Sequence, residues 1–146
     1  MKCGLNEAIA RELILAQVAS DGGKNIEELL DLTHTVPGLK SAYKEGYSDK
    51  DKHIRKAINL IQKAHGKSGF SYYVTKDPEI LYRWEPMNLI YFNFKVDGIR
   101  FQMSFHSPYE FLDGEKDNKS NKKHRTHWDR KDSRYAALVL AEKVLC

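Results

Sequence analysis

Three histidines are the residues of this sequence whose type and spacing suit metal or acid–base chemistry. His124 and His127 are three residues apart in a polar segment, and His106 ends an apolar run upstream. Two imidazoles at this spacing lie on one side of a helical turn, where they could bind a metal ion. A catalytic zinc needs a third protein ligand, for which His106, Asp129 and Asp132 are candidates. Since the spacing alone is not a ligand set, the sequence predicts no metal site and no cofactor.

The same histidines could cleave a phosphodiester by general acid–base catalysis. His106 would work with His124 or His127, while a Lys or Arg stabilises the transition state. Neither Cys3 nor Cys146 has a histidine nearby in the sequence, so nothing indicates a thiol nucleophile. No motif specifies a reaction. The sequence therefore favours a non-enzymatic protein, with a small phosphodiesterase or nuclease as the alternative.

Two of these histidines lie in a long basic loop, predicted at about residues 107–131. Between Glu115 and Lys131 there are seven cations and three anions, an excess that equals the net charge of the whole chain, +4. Connections of this length without structure of their own are usually functional or disordered. A solvated loop whose charges only prevent aggregation is one interpretation of this segment.

Binding of nucleic acid is the other interpretation of the basic loop. Cations interleaved with an aromatic ring bind phosphates by charge and bases by stacking. Each phosphate that they neutralise would add close to one unit to the salt dependence of binding. The predicted binding residues of the loop are Lys116, Lys119, Lys122, Lys123, Arg125, Trp128, Arg130 and Lys131.

A β-hairpin is the clearest local structure that the sequence predicts. The stretch "LIYFNFKVDGIRFQMSFH" consists of two alternating runs joined by Asp97-Gly98, a dipeptide that suits a type I′ turn. In a two-residue hairpin, eight apolar residues share one face. A slip of one residue would turn this face outward, so the register is strongly specified. The predicted cross-strand pairs are Val96 with Ile99, Phe94 with Phe101, Phe92 with Met103, and Ile90 with Phe105.

The opposite, polar face of the hairpin is predicted to lie outside the core. Like charges directly opposite each other are destabilising, and this face places Lys95 opposite Arg100. An anionic ligand across the face would explain the two cations, and a solvated face whose cations extend into water is the alternative. The remaining pairs are Asn93 with Gln102, Tyr91 with Ser104, and Leu89 with His106.

Helical periodicity predicts three helices before the strands. Apolar stripes, capping residues and stop signals define their limits. They run from about Leu5 to a stop at residues 21–23, from Asn25 to before Pro37, and from about Ser48 to Gly66.

The second half of the chain contains the strands and a last helix. A strand begins at Phe70, and the segment from Pro78 to Trp84 suits either a strand or a short helix. Asp132 or Ser133 caps the last helix. The order of elements predicts an α+β fold with helices packed on an antiparallel sheet. The predicted apolar side of the last helix comprises Tyr135, Leu138, Val139, Leu145 and the intervening alanines.

Length and composition predict one domain over residues 1–146. Apolar residues make up 41% and charged residues 30% of the 146 positions, values of a globular rather than a disordered chain. Arg11 and Glu12 interrupt the early apolar stretch, so we expect no signal peptide. No apolar run approaches the length of a membrane span, and two isolated cysteines are typical of a reducing compartment. The sequence therefore predicts a cytoplasmic protein without membrane contact and leaves its oligomeric state open.

These features together favour a small binding protein. Its predicted partner is nucleic acid or a nucleic-acid-carrying enzyme, bound through the basic loop and the polar face with Lys95 and Arg100. A module that docks on an acidic protein surface is a further alternative. In size and character the chain resembles a small phage-encoded inhibitor of a host defence nucleoprotein, such as an anti-CRISPR protein. The resemblance implies a non-enzymatic inhibitor, and no shared motif accompanies it.

Overall fold

The structure, a computed structural model, describes residues 4–21, 36–46, 50–66, 79–85, 89–106 and 132–145. Helices precede an antiparallel sheet and a further helix follows it, which confirms the α+β prediction. The predicted helix from Asn25, the predicted strand from Phe70 and the basic loop lie outside the described residues. The elements are α1 (Leu5–Asp21), α2 (Leu39–Glu45), α3 (Lys50–His65), β1 (Ile80–Glu85), β2 (Leu89–Val96), β3 (Ile99–His106), α4 (Ser133–Val139) and a π-helical turn (Leu140–Val144).

The chain forms two compact units. One comprises Met1–Leu60 and Ala137–Cys146, and the other comprises Ile61–Ala136. In the first unit α1 contacts both α2 and the π-helical turn. The second unit contains the β-sheet. The prediction of a single domain over residues 1–146 stays a prediction.

Helix α1 is buried around most of its circumference. The sequence predicts a single apolar stripe that includes Leu5, Ile9 and Leu13. Ile9 and Leu13 are fully buried, whereas Leu5 remains 36% exposed. Every residue from Leu13 to Ala19 is buried, on all sides of the helix. A helix that is buried all round occupies the centre of a core rather than its surface, so α1 is the central helix of its unit.

Helix α2 is an element that the sequence patterns did not predict. It has seven residues and begins after Gly38, which has a φ of 90° and provides no side chain to cap the helix. Left-handed backbone of this kind favours glycine. The usual signals for a helix start are capping side chains and long apolar periodicity, and α2 has neither. Its inward residues Leu39 and Ala42 are buried, so tertiary packing stabilises it.

The sheet has the strand order β1-β2-β3, with both pairs antiparallel. The ambiguous segment after Pro78 forms β1. The predicted hairpin register is confirmed in every pair, from Val96 opposite Ile99 onward. The turn residues Asp97 and Gly98 have φ angles of 53° and 80°, positive at both positions as a type I′ turn requires. Seven of the eight predicted core residues are buried, and Ile99 beside the turn is 43% exposed.

Helix α4 begins at the predicted cap, but its buried side is narrower than predicted. Asp132 Oδ1 accepts hydrogen bonds from the backbone N–H groups of Arg134 and Tyr135, at 3.0 and 3.2 Å. The prediction was wrong at Tyr135, which is 41% exposed. The buried positions of α4 are the alanines Ala136 and Ala137. Alanine has no side chain beyond Cβ, so this side of the helix permits close packing of the backbone.

No helix within the six described ranges is long and apolar enough to cross a membrane.

Candidate functional site

The candidate site is the end of the β2–β3 hairpin that carries Lys95 and Arg100. The two cations are direct cross-strand partners, as the sequence predicts. The N–H of Ser104 on β3 donates to Ser133 Oγ at 3.1 Å, so it points away from β2. Backbone N–H groups alternate in direction along a strand, so the N–H of Arg100, four positions before Ser104, also points away from β2. Lys95 and Arg100 therefore form a non-hydrogen-bonded pair. Such pairs have the closer Cα separation, about 4.5 Å, and bring their side chains together.

Both cations lie between the buried middle of the hairpin's polar face and the exposed turn. Lys95 and Arg100 are half-buried, whereas Asp97 and Gly98 beside them are exposed. Within the described ranges Lys95 forms no ion pair. A partly desolvated cation attracts an anion more strongly than one in bulk water, because the effective dielectric constant around it is lower. The end of the hairpin therefore places two partly desolvated cations side by side, next to the exposed acidic residue Asp97 of the turn.

The centre of the polar face is buried, which corrects the expectation that this face lies outside the core. Asn93 is fully buried and Gln102 is 7% exposed. Gln102 Nε2 donates a hydrogen bond to Asn93 Oδ1 at 3.4 Å. Buried amides need hydrogen-bond partners, and this cross-strand contact supplies one to each side chain. A solvated surface is therefore excluded at the middle of this face.

His106, the candidate acid–base residue, lies at the other end of the hairpin. It is the last residue of β3, pairs with Leu89 and is exposed. Arg100 precedes it by six positions on the same strand. At about 3.3 Å per residue, this spacing separates the two residues by roughly 20 Å. The structure thus does not bring His106 to the pair of cations.

The predicted site residues of the basic loop, together with His124 and His127, lie outside the described residues. Within the described part of the chain no group of three metal-ligating side chains occurs. Asp132, a candidate third ligand, uses its Oδ1 to cap α4. Asp132 therefore has a structural role at the start of a helix.

The capping role of Asp132 leads to a stability prediction. We expect Asp132→Ala to lower the free energy of unfolding by about 1 kcal/mol, because two backbone N–H groups lose their acceptor. Asp132→Asn keeps a capping oxygen and should lose less than half of that amount. Urea denaturation of the three proteins measures the difference. A loss in Asp132→Asn equal to that in Asp132→Ala would show that the carboxylate has another role.

The exposed ring of Tyr135 is a surface feature that the sequence patterns did not reveal. Its centroid lies 6.3 Å from that of Phe101, which is buried on the apolar face of β3. The apolar periodicity of α4 gave no signal for its exposure. A tyrosine that is 41% exposed beside an aromatic core residue offers a rigid stacking surface at low entropic cost.

Comparisons with protein families, with curated proteins and with solved structures found no match for this chain.

Proposed function

We propose that the chain is a non-enzymatic protein that binds nucleic acid, or an enzyme carrying nucleic acid, through the end of the hairpin and the basic loop. The observation that carries the proposal is the juxtaposition of Lys95 and Arg100, half-buried partners in a non-hydrogen-bonded pair. Two like charges held at this separation repel each other. A bound phosphate would offset that repulsion, because both cations would be attracted to the same anion.

The chemistry of the two side chains suits a phosphate group. The guanidinium of Arg100 presents several N–H donors in a plane and can bind two phosphate oxygens at once. The ammonium group of Lys95 acts as a point charge with three donors. Phosphate contacts of this kind position a protein on a nucleic acid without reading its sequence. The pair therefore supports affinity for the backbone rather than recognition of bases.

The basic loop would extend the same interaction. Its seven cations against three anions between Glu115 and Lys131 favour a polyanion. Trp128 adds a ring on which an unpaired base could stack. The resemblance to phage-encoded inhibitors stays a prediction and adds no residue to the site.

A salt titration of binding to labelled single- and double-stranded DNA and RNA tests the proposal. One variant carries Lys95→Gln with Arg100→Gln, and a second changes Lys119, Lys122, Lys123 and Arg125 to Ser. We expect the slope of log affinity against log salt to fall by about 1.5 units in the first and about 3 units in the second, since each lost phosphate contact removes about 0.7 to 0.9 units. The exchange Lys95→Arg with Arg100→Lys keeps both charges and serves as the matched control, with an unchanged slope.

The outcomes separate the three candidate functions. Absence of binding to any nucleic acid at low salt would overturn the proposal in favour of a module that docks on an acidic protein. Hydrolysis of the labelled strands, lost in His106→Ala while binding persists, would establish a nuclease instead. Binding without hydrolysis, with the two expected losses of slope, supports a binding protein.

A further inference from the structure

A second basic surface, which the sequence patterns did not single out, lies on α3. The apolar stripe of this helix, with Ile54, Ala57, Ile58 and Ile61, is buried. Between Lys50 and Leu60 the exposed positions carry three cations and one neutral polar side chain. These positions, which we call the α3 basic face, are Lys52, Arg55, Lys56 and Asn59.

The α3 basic face forms one row along one side of the helix. Arg55, Lys56 and Asn59 lie three, four and seven residues after Lys52, which are the spacings of one helical face. At about 100° per residue they occupy a sector of roughly 100°, and at about 1.5 Å per residue Lys52 and Asn59 are about 10 Å apart along the axis. The charges therefore point in one general direction.

Negative charge is nearly absent from this helix. Asp51 is its single acidic residue, and its side chain is 15% exposed with Oδ1 3.5 Å from Lys50 Nζ. Lys52 and Lys56, four residues apart, repel each other on the exposed side. Cations in the first turn also oppose the helix dipole. The exposed positions from Lys50 to Leu60 thus carry three positive charges and no acidic side chain of the helix itself.

We infer that the α3 basic face binds the phosphate backbone of a nucleic acid strand. The three cations, Lys52, Arg55 and Lys56, span about 6 Å along the helix axis, over which a strand of B-form DNA presents about two phosphates. No large apolar side chain is exposed on α3 within the described residues. Interfaces with proteins depend on buried apolar or aromatic anchors, whereas backbone contacts need only cations and polar donors. The composition of this face therefore fits nucleic acid better than a protein partner.

This inference goes beyond the proposed function, since α3 contains no residue of the hairpin or the basic loop. It rests on the proposed function only in requiring that the chain bind nucleic acid. An anionic lipid surface is a poorer occupant, because insertion of a basic helix requires a free apolar face, and that of α3 is buried.

The test is a salt titration of binding to labelled duplex and single-stranded DNA and RNA by a variant with Lys52→Gln, Arg55→Gln and Lys56→Gln. We expect this variant to lose about 1.5 to 2 units of salt slope and at least about tenfold in affinity at low salt. A charge-conserving variant, with Lys52→Arg and Lys56→Arg, should retain wild-type binding. The matched control removes the same charge from exposed positions elsewhere, with Lys40→Gln, Lys44→Gln and Lys143→Gln.

The outcomes distinguish failure of this inference from failure of the proposed function. If the three-residue variant on α3 binds like the control while the basic-loop variant is impaired, the α3 basic face is not a binding site and the proposed function stands. If the wild-type chain binds no nucleic acid, both are overturned. Equal losses in the α3 variant and the control would show a general charge effect and overturn the inference. Circular dichroism of each variant verifies that the helix content of the chain is unchanged.

Discussion

Phe94→Ala is expected to lower the free energy of unfolding by about 3 to 5 kcal/mol, a large part of the total stability of a small domain. Phe94 is fully buried on the central strand, between Ile80 of β1 and Phe101 of β3. Its ring stacks on that of Phe101 with a centroid distance of 5.2 Å and an interplanar angle of 16°. Truncation removes the stacking and leaves a cavity that the neighbouring strands line.

Urea denaturation measures this loss, and the same hairpin provides a matched control. Ile99 lies on the same face as Phe94 but is 43% exposed. Ile99→Ala should therefore cost less than about 1 kcal/mol. Phe94→Leu keeps most of the volume and should cost about 1.5 kcal/mol or less, so it stays measurable if Phe94→Ala does not fold. Equal losses at Phe94 and Ile99 would contradict the central position of Phe94 in the core.

The hairpin could be predicted from the sequence because its determinants are local. Asp97-Gly98 selects the turn, and the turn sets the register of every following pair. Alternation of apolar residues then decides which face is buried. The pairing of Lys95 with Arg100 follows from these rules alone. The candidate site at the end of the hairpin was accordingly predictable in position, although not in function.

The burial of side chains could not be predicted where it depends on distant packing. Asn93 and Gln102 have the composition of an exposed face, yet both are buried. Tyr135 has an apolar ring but remains exposed, since small alanines form the buried side of α4. Local sequence specifies which residues share a face, whereas tertiary packing decides how much of that face meets solvent.

The α3 basic face shows a different limitation. The apolar stripe of α3 was visible in the sequence, and its complement on the helix contains Lys52, Arg55 and Lys56. The net charge of the chain did not reveal these three cations, because acidic residues in other segments cancel their charge in the total. Charge becomes informative about binding only after it is assigned to a surface. The helical period of about 3.6 residues was sufficient to place these cations on one face of α3 from the sequence alone.

Glu12→Ala and His53→Ala are each expected to lower the free energy of unfolding by about 1 to 3 kcal/mol. His53 Nδ1 lies 2.9 Å from Glu12 Oε1, a hydrogen bond that joins α1 to α3, and the two side chains are 8% and 18% exposed. Removal of either residue leaves the other polar side chain largely buried without this contact. Because the two residues share one contact, the loss in the double variant should be smaller than the sum of the single losses, with a coupling of about 1 kcal/mol.

Glu7→Ala is the matched control for this pair. Glu7 also lies on α1, but its partner Arg11, at 2.7 Å, is on the same helix, and the side chains of Glu7 and Arg11 are 11% and 34% exposed. Exposed pairs within one helix contribute about 0.3 to 0.5 kcal/mol, and Arg11 keeps access to water after the substitution, so Glu7→Ala should have a smaller effect than Glu12→Ala. The Glu12–His53 contact joins two helices and is largely shielded from water, which restricts its access to a substrate. We therefore expect His53→Ala to lower stability without changing the salt dependence of binding, and the reverse result would assign His53 to a functional site.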